Sequence, residues 1–424
     1  MTAAINFFQF FAHSVAIYVA KTIPKDPVFN FGINPMVPSN FVAPSNLHVW
    51  HLLSNWKWTE RAEPAVDLAL AQQKMGVRVA FVCGRSRGKK KNDVEYHARQ
   101  KGLSSIHVLE MPKHFRALSA LRDFLKLKKL LAELNPDVLH CNMRNAHMMA
   151  ALLKRASGRP LIVNGCYHPD GPRKDLRSRF LYRFCTDGLV VISEKAKQKA
   201  LEHRCFPSTT VLVAEPGVDL HRFSPDRKLA MNRKSFGLDE GHFVLGMVTR
   251  IRESRRLDIV LAAVNALVKE FPQLRLLLVG RGRKGAVESL VERPAREMKI
   301  YDRIVLPGYC GEDRLVAAYQ SMDVLAYPTP GTDKSCRTVR EAMASGLPVI
   351  APRIGFLPEL IEDHVTGRLT DEKGVELTDI LTDFMRNETR LREMGPRALE
   401  TAKQRFAPSL QAERTLSFYR ELLK

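Results

Sequence analysis

Apolar runs the length of one strand alternate with helix-period segments along most of this chain, and the alternation occurs as two separate series. The first reads "LHVWHLL" (47–53), then helical "AVDLALAQQKM" (65–75) with Gly76 to stop it, then "VRVAFVC" (77–83). It continues through "SIHVLE", a helix around "LRDFLKLKKLLAEL", "DVLHC", "PLIVNG", "GLVVIS" and "TVLVA". The second runs from "FVLGMV" (243–248) through "LRLLLVG", "RIVLPG", "DVLAYP" and "LPVIAP", each followed by a helical stretch. Near-continuous apolar strands separated by helices predict a parallel sheet covered on both faces. Two such series predict an α/β protein of two doubly wound, Rossmann-like parallel-sheet domains facing a central cleft. Ligands in such sheets sit outside the carboxyl ends of the strands.

A length of 424 residues agrees, because one hydrophobic core stops being efficient well below that size. The expected first domain spans 46–225 and the second 242–405. The turn-rich, charged stretch at 215–241 connects them, and the amphipathic end of the chain (406–424) is expected to pack back on the first domain. Residues 1–45 form an apolar leader. Its "AAINFFQFFAHSVAIYVA" (3–20) leaves three readings open: a membrane anchor, an arm packed on the body, and an over-long start ahead of Met36.

Sixty-six Lys and Arg against 45 Asp and Glu give a net charge of +21, with a pI near 9.8. Such a field favours anionic membrane surfaces, polyanions and phosphorylated ligands. "FRALSALRDFLKLKKLLAEL" (115–134) interleaves basic residues with an apolar helix face, which suits anionic lipid headgroups. No recognisable nucleic-acid motif accompanies the charge, so no nucleic-acid partner is expected. The seven cysteines form no Cys-x-x-Cys, and there is no His-Glu-x-x-His or Asp-x-Asp, so no metal site is expected.

"LRLLLVGRGRKG" places Gly280, Gly282 and Gly285 in a Gly-x-Gly-x-x-Gly pattern after a strand. It follows the second strand of its series, and no acid ends the next one, which argues against a dinucleotide fingerprint. The cations are more telling. In "VTRIRESRRLDIVLAA", Arg250 stands just past the first strand of the second series, and Arg255 and Arg256 stand where a helix begins. Guanidinium forks and a helix N-terminus together suit a diphosphate. "DKSCRTVREAMASGLPVIAP" (333–352) aims a second helix start, at Cys336 and Arg337, into the same cleft, with Glu341 one turn inside it. Carboxylates there are suited to sugar hydroxyls, so a nucleotide sugar would satisfy both parts.

With those segments in view, the second half resembles the donor domain of glycosyltransferase family 4, retaining enzymes of the GT-B architecture. The resemblance is carried by "TRIRESRRLDIVLAAV", "LLLVGRG", "RIVLPGYC", "VAAYQSMDVLAYPT" and "EAMASGLPVIAPRIGFLPELIEDHVTGRL". The first half agrees through "ALAQQKMGVRVAFV", "PDVLHCN", "VVISE" and "EPGVDLHRF". The resemblance implies a Glu-x7-Glu pair, here Asp333 and Glu341, touching donor hexose and ribose, with His168 of "NGCYHPDG" as the active-site histidine. It implies Arg250 and Arg255 on the donor diphosphate, a glycine where Arg256 stands, and a Gly-Gly pair where Thr59 and Glu60 stand. Donor-binding loops then comprise Gly280, Gly282, Ser335, Cys336 and Arg337.

The expected activity is metal-independent transfer of a sugar from a nucleoside-diphosphate donor to a lipid-linked or cell-envelope glycan, with no cofactor beyond the donor itself. The expected location is cytoplasmic and peripheral on the inner membrane. The alternative is a non-catalytic GT-B protein that binds nucleotide sugars or acts as a scaffold.

Overall fold

The computed structural model describes residues 46–424 apart from 60, 87–89, 113–116, 158–159, 169–170, 174, 203–204 and 330–335. The expected leader therefore lies outside the described residues. The first sheet is built from β1 (His48–Leu53), β2 (Arg78–Gly84), β3 (Ile106–Leu109), β4 (Val138–Cys141), β5 (Leu161–Cys166), β6 (Gly188–Val191) and β7 (Val211–Val213). Its strands lie in the order β3-β2-β1-β4-β5-β6-β7, and every pairing is parallel. The connecting helices are α1 (Ala62–Lys74), α2 (Asp93–Gln100), α3 (Ala117–Leu134), α4 (Arg144–Ser157), α5 (Leu176–Cys185) and α6 (Glu194–Leu201).

The second sheet repeats the pattern with β8 (Phe243–Val248), β9 (Leu274–Val279), β10 (Ile304–Gly308), β11 (Val324–Ala326), β12 (Val349–Pro352) and β13 (Gly367–Thr370). Its order is β10-β9-β8-β11-β12-β13, again all parallel. Its helices are α7 (Leu257–Leu267), α8 (Arg293–Glu297), α9 (Glu312–Gln320), α10 (Arg337–Ala344), α11 (Leu357–Leu360), α12 (Leu377–Arg386) and α13 (Glu388–Arg405). Each sheet therefore reverses direction once, between β1 and β4 and between β8 and β11. Those switch points leave a crevice at the carboxyl edge of the sheet.

The apolar runs explain the layering. Along β1, Val49 and Leu53 pack in one cluster with α1, while Trp50 and Leu52 pack in another with Leu127 of α3 and Ala146 of α4. In the second sheet, Val244 and Phe243 likewise fall into opposite clusters. Burying both faces of one strand is what makes it read as uninterrupted apolar sequence. One strand escaped the sequence reading: β13 carries only Leu369 as a large apolar side chain, flanked by Gly367, Arg368 and Thr370.

The last helix, α14 (Pro408–Leu423), leaves the second domain and packs against α1 of the first. Its attachment is partly polar. Thr415 accepts a hydrogen bond from Gln72 at 3.0 Å, Gln411 accepts one from the backbone N–H of Gly217 at 3.0 Å, and the Tyr419 hydroxyl meets His140 Nδ1 at 2.5 Å. At the same junction Arg405 pairs with Glu215 at 2.6 Å. Among the described residues, no helix is long and apolar enough to cross a membrane.

Candidate active site

β8 and β11 are neighbours in the second sheet, with Leu245 opposite Val324 and Gly246 opposite Leu325. The segments leaving their carboxyl ends, with Arg250 on one and α10 on the other, therefore open on the same edge at the switch point. Arg250 is exposed there. Arg255 is 5% exposed, and its Nε has no hydrogen-bond partner among the described residues. A buried guanidinium left incompletely paired is costly unless something anionic completes it.

Arg256 adopts a left-handed conformation (φ 51°) as the residue preceding α7, and it pairs with Asp258 at 3.5 Å. That backbone conformation accounts for a glycine being at home in this position. Cys336, preceding α10, is also left-handed (φ 42°) and is buried.

Two glycines of the Gly-x-Gly-x-x-Gly pattern, Gly280 and Gly282, have a packing role. A Cβ on Gly280, whose φ is 151°, would lie 1.7 Å from the Thr249 carbonyl oxygen; one on Gly282 would lie 3.2 Å from that of Ile251. The N–H of Thr249 donates to the Val279 carbonyl at 2.9 Å, and the N–H of Ile251 donates to that of Arg281 at 3.0 Å. These glycines let the turn after β9 press on the segment that carries Arg250.

Glu341 is 3% exposed. It accepts from Arg337 Nε at 2.6 Å and from the Tyr319 hydroxyl at 2.9 Å. Burial and the Glu341 carboxylate beside it push the Tyr319 phenol well up, so it stays a donor. Arg337 also reaches the first domain, where its Nη1 pairs with Glu63 in the first turn of α1. Glu63 in turn faces Lys101 at 3.5 Å, and Lys101 donates to Asp67 at 2.5 Å. Burial would raise the Glu63 carboxyl, but Arg337 and Lys101 hold it below its usual value. For Asp67 burial prevails over Lys101, and its pKa is pushed up to about 6.

His168 lies in the turn after β5 and is partly buried; its carbonyl accepts from the Gly171 N–H at 3.0 Å. The adjacent Tyr167 is buried, with its hydroxyl 3.4 Å from Asn142 Oδ1. Asp333 and Ser335 lie outside the described residues, as does Glu60, while Thr59 is half-buried just ahead of α1. The structure thus gathers Arg250, Arg255, Cys336, Arg337 and Glu341 along one edge and leaves His168 on the facing domain.

Sequence reasoning missed Glu63, Lys101 and Tyr319. An acid in the first turn of a helix reads as ordinary dipole compensation, and nothing local in the sequence announces its partner 274 residues away.

Two family models match the chain: "Glycosyltransferase Family 4" over residues 65–222 and "Glycosyl transferases group 1" over residues 230–401. Among relatives, a D-inositol 3-phosphate glycosyltransferase of Segniliparus rotundus is 31% identical over 214 residues, covering 50% of this chain and 47% of the relative. A protein of the same name from Corynebacterium glutamicum is 28% identical over 68% of this chain and 72% of the relative. The chain thus spans about half the length of the first relatives it matches. Among solved structures, Anabaena Alr3699/HepE in complex with UDP superposes with a TM-score of 0.74 at 17% identity, covering 88% of this chain and 100% of that one.

Proposed function

Because the chain belongs to glycosyltransferase family 4 and has the GT-B architecture, we propose that it transfers a sugar from a nucleoside-diphosphate donor to a glycan acceptor with retention of anomeric configuration. One observation carries the proposal: the Arg255 guanidinium, buried beside the switch point with Nε lacking a partner among the described residues, is arranged for an anion that arrives from outside. Arg250 on the same segment and the N-terminus of α10 supply further positive potential.

Cleavage of the donor's anomeric bond builds negative charge on the departing diphosphate. Preorganised guanidinium groups stabilise that charge most in the transition state, and this is the part that raises the rate. Arg250 and Arg255 take the diphosphate, and Cys336 and Arg337 line its approach together with the loop of Gly280 and Gly282. Glu341 accepts from ribose hydroxyls, the hexose contact is assigned to Asp333 by its position in the Glu-x7-Glu pattern, and His168 orients the sugar from the first domain. In this scheme arginines meet the leaving-group charge, so the proposed transfer needs neither a divalent cation nor a cofactor beyond the donor. A departing phosphate oxygen takes the acceptor's proton.

The proposed acceptor is a lipid-linked or cell-envelope glycan, reached at the cytoplasmic face of the membrane. Support comes from the first domain: α3 exposes Leu118, Leu121 and Leu125 beside Arg122, Lys126 and Lys129, while α5 exposes Leu176 and Phe184 beside Arg177 and Arg183. Both helices flank α4. Apolar side chains among cations suit an anionic bilayer surface. The relatives' name offers a second acceptor, D-inositol 3-phosphate, which the basic first domain would also attract.

The test is a thermal-shift panel of UDP-, GDP- and ADP-sugars on wild type and Arg250→Ala, followed by an assay of donor hydrolysis. One donor class is expected to raise the melting temperature, and the variant to lose most of that response. Stabilisation without any release of sugar, in the presence or absence of acceptor, would instead favour a nucleotide-sugar-binding scaffold.

A further inference from the structure

A line of polar and charged groups runs out of the second domain at the candidate site and ends in the first: Tyr319, Glu341, Arg337, Glu63, Lys101, Asp67. Arg337 is its hinge, since one guanidinium forks between a carboxylate on its own helix and one on the opposite domain. Locally it is the wrong residue, because a cation in the first position of α10 opposes the helix dipole. A tertiary contact has to supply the favourable term. Glu63 supplies it, with its side chain 10% exposed.

If the domains part, Glu63 keeps Lys101 and Arg337 keeps Glu341, but the bond between them is lost and both ends of it must be resolvated. Together the domains hold a pair that breaks badly from one side, since removing a single partner of a buried ion pair leaves an uncompensated charge. A second contact spans the same boundary. Glu359, on α11 of the second domain, accepts from the N–H groups of Glu194 and Lys195 at 2.8 and 3.0 Å, capping α6 of the first.

We propose that Glu63 is a positioning residue for the transfer reaction: by anchoring Arg337 across the domain boundary, it fixes the Arg337–Glu341 pair and completes the donor seat only when the two domains are together, a role that rests on the transferase reading above. Glu63 does not itself touch the donor. It ties the first turn of α1 in the first domain to the seat that Arg337 and Glu341 form on the second, so donor occupancy and domain closure favour each other.

The test uses the full chain, with Glu63→Gln as the main variant and Arg337→Lys as the second. Lysine keeps the charge but cannot fork between two carboxylates. Small-angle scattering without ligand, binding of the nucleoside diphosphate alone, and steady-state kinetics with the complete donor are measured on each. Both variants are expected to have a larger radius of gyration than wild type. Their affinity for the nucleoside diphosphate is expected to weaken by about fivefold or more, in line with typical coupling between sites, and their kcat to fall by about tenfold or more. Glu63→Asp, with the charge kept and the reach shortened, should recover part of the kcat.

Wild-type turnover matched by Glu63→Gln, with an unchanged radius of gyration, overturns the positioning role alone. Tightened diphosphate binding in Glu63→Gln overturns it too, by showing that Glu63 competes with the donor for Arg337. A wild type that binds no nucleoside diphosphate overturns the transferase reading and this role with it.

Discussion

Two side chains at the site carry consequences that can be measured singly. The Tyr319 hydroxyl is buried against one oxygen of Glu341 while Arg337 holds the other. Removing that donor leaves the carboxylate half-satisfied in a dry setting. Tyr319→Phe should therefore lower stability by about 1–3 kcal/mol, read from urea denaturation. Gly280 sits at φ 151° with the Thr249 carbonyl where a Cβ would go. Gly280→Ala should cost about 1–3 kcal/mol and weaken nucleoside-diphosphate binding, because the displaced segment carries Arg250. Normal stability and binding in that variant would show that the turn yields without moving the site. The spacing of glycines and arginines was visible in the sequence. That the glycines answer to a neighbouring carbonyl was not, because it depends on how the segments after β8 and β9 lie against each other.

At the scale of elements, α14 is joined to the first sheet by a polar seam rather than by apolar packing alone. His51 and His140 stand opposite each other on β1 and β4 with ring centroids 5.1 Å apart, and both are fully buried. His51 Nε2 meets Gln72 at 2.9 Å and His140 Nδ1 meets Tyr419, while the other nitrogen of each ring has no hydrogen-bond partner among the described residues. Burial lowers His51 to about 4, and burial together with neighbouring His51 takes His140 well below its usual value.

Both rings are therefore neutral when folded and take up a proton near pH 6.5 only when unfolded. Their contribution to stability is present above pH 6.5 and is lost as pH falls from there towards 4. For His51 alone the loss approaches about 3 kcal/mol. Thermal melts between pH 7.5 and 4.5 should show the fall, and His51→Gln should flatten it; a curve unchanged by that substitution would place the acid sensitivity elsewhere. The sequence marked this helix as one that leaves its domain, through the apolar spacing of "AERTLSFYRELL". It could not reveal Gln72, Thr415, His140 and Tyr419 as partners, since those contacts join residues hundreds of positions apart.

Across the whole molecule, two sheets share one strand order, the first longer by one strand, with cations gathered on one edge of the second and an apolar, basic surface on α3 and α5 of the first domain. Leu121→Glu with Leu125→Glu should reduce co-sedimentation with anionic vesicles by roughly tenfold or more, since each substitution removes apolar contact and adds repulsion. Binding to neutral vesicles should be weak throughout. Equal binding of wild type and double variant would remove this face from the account.

The fold and the placement of Arg250 and Arg255 beyond a strand end were legible because buried parallel strands and strand-end arginines leave continuous local signatures. Contacts between domains, such as Glu63 with Arg337, leave none.

Arg255 offers the most direct test of whether this edge is built for a diphosphate. Arg255→Met keeps much of the side chain's volume while removing its buried charge. Titration calorimetry is expected to show nucleoside-diphosphate affinity falling by about 10- to 100-fold, while the ligand-free protein melts no lower than wild type because an incompletely paired cation has been removed. Undiminished affinity, together with a marked loss of stability in the ligand-free variant, would show instead that Arg255 serves only the fold.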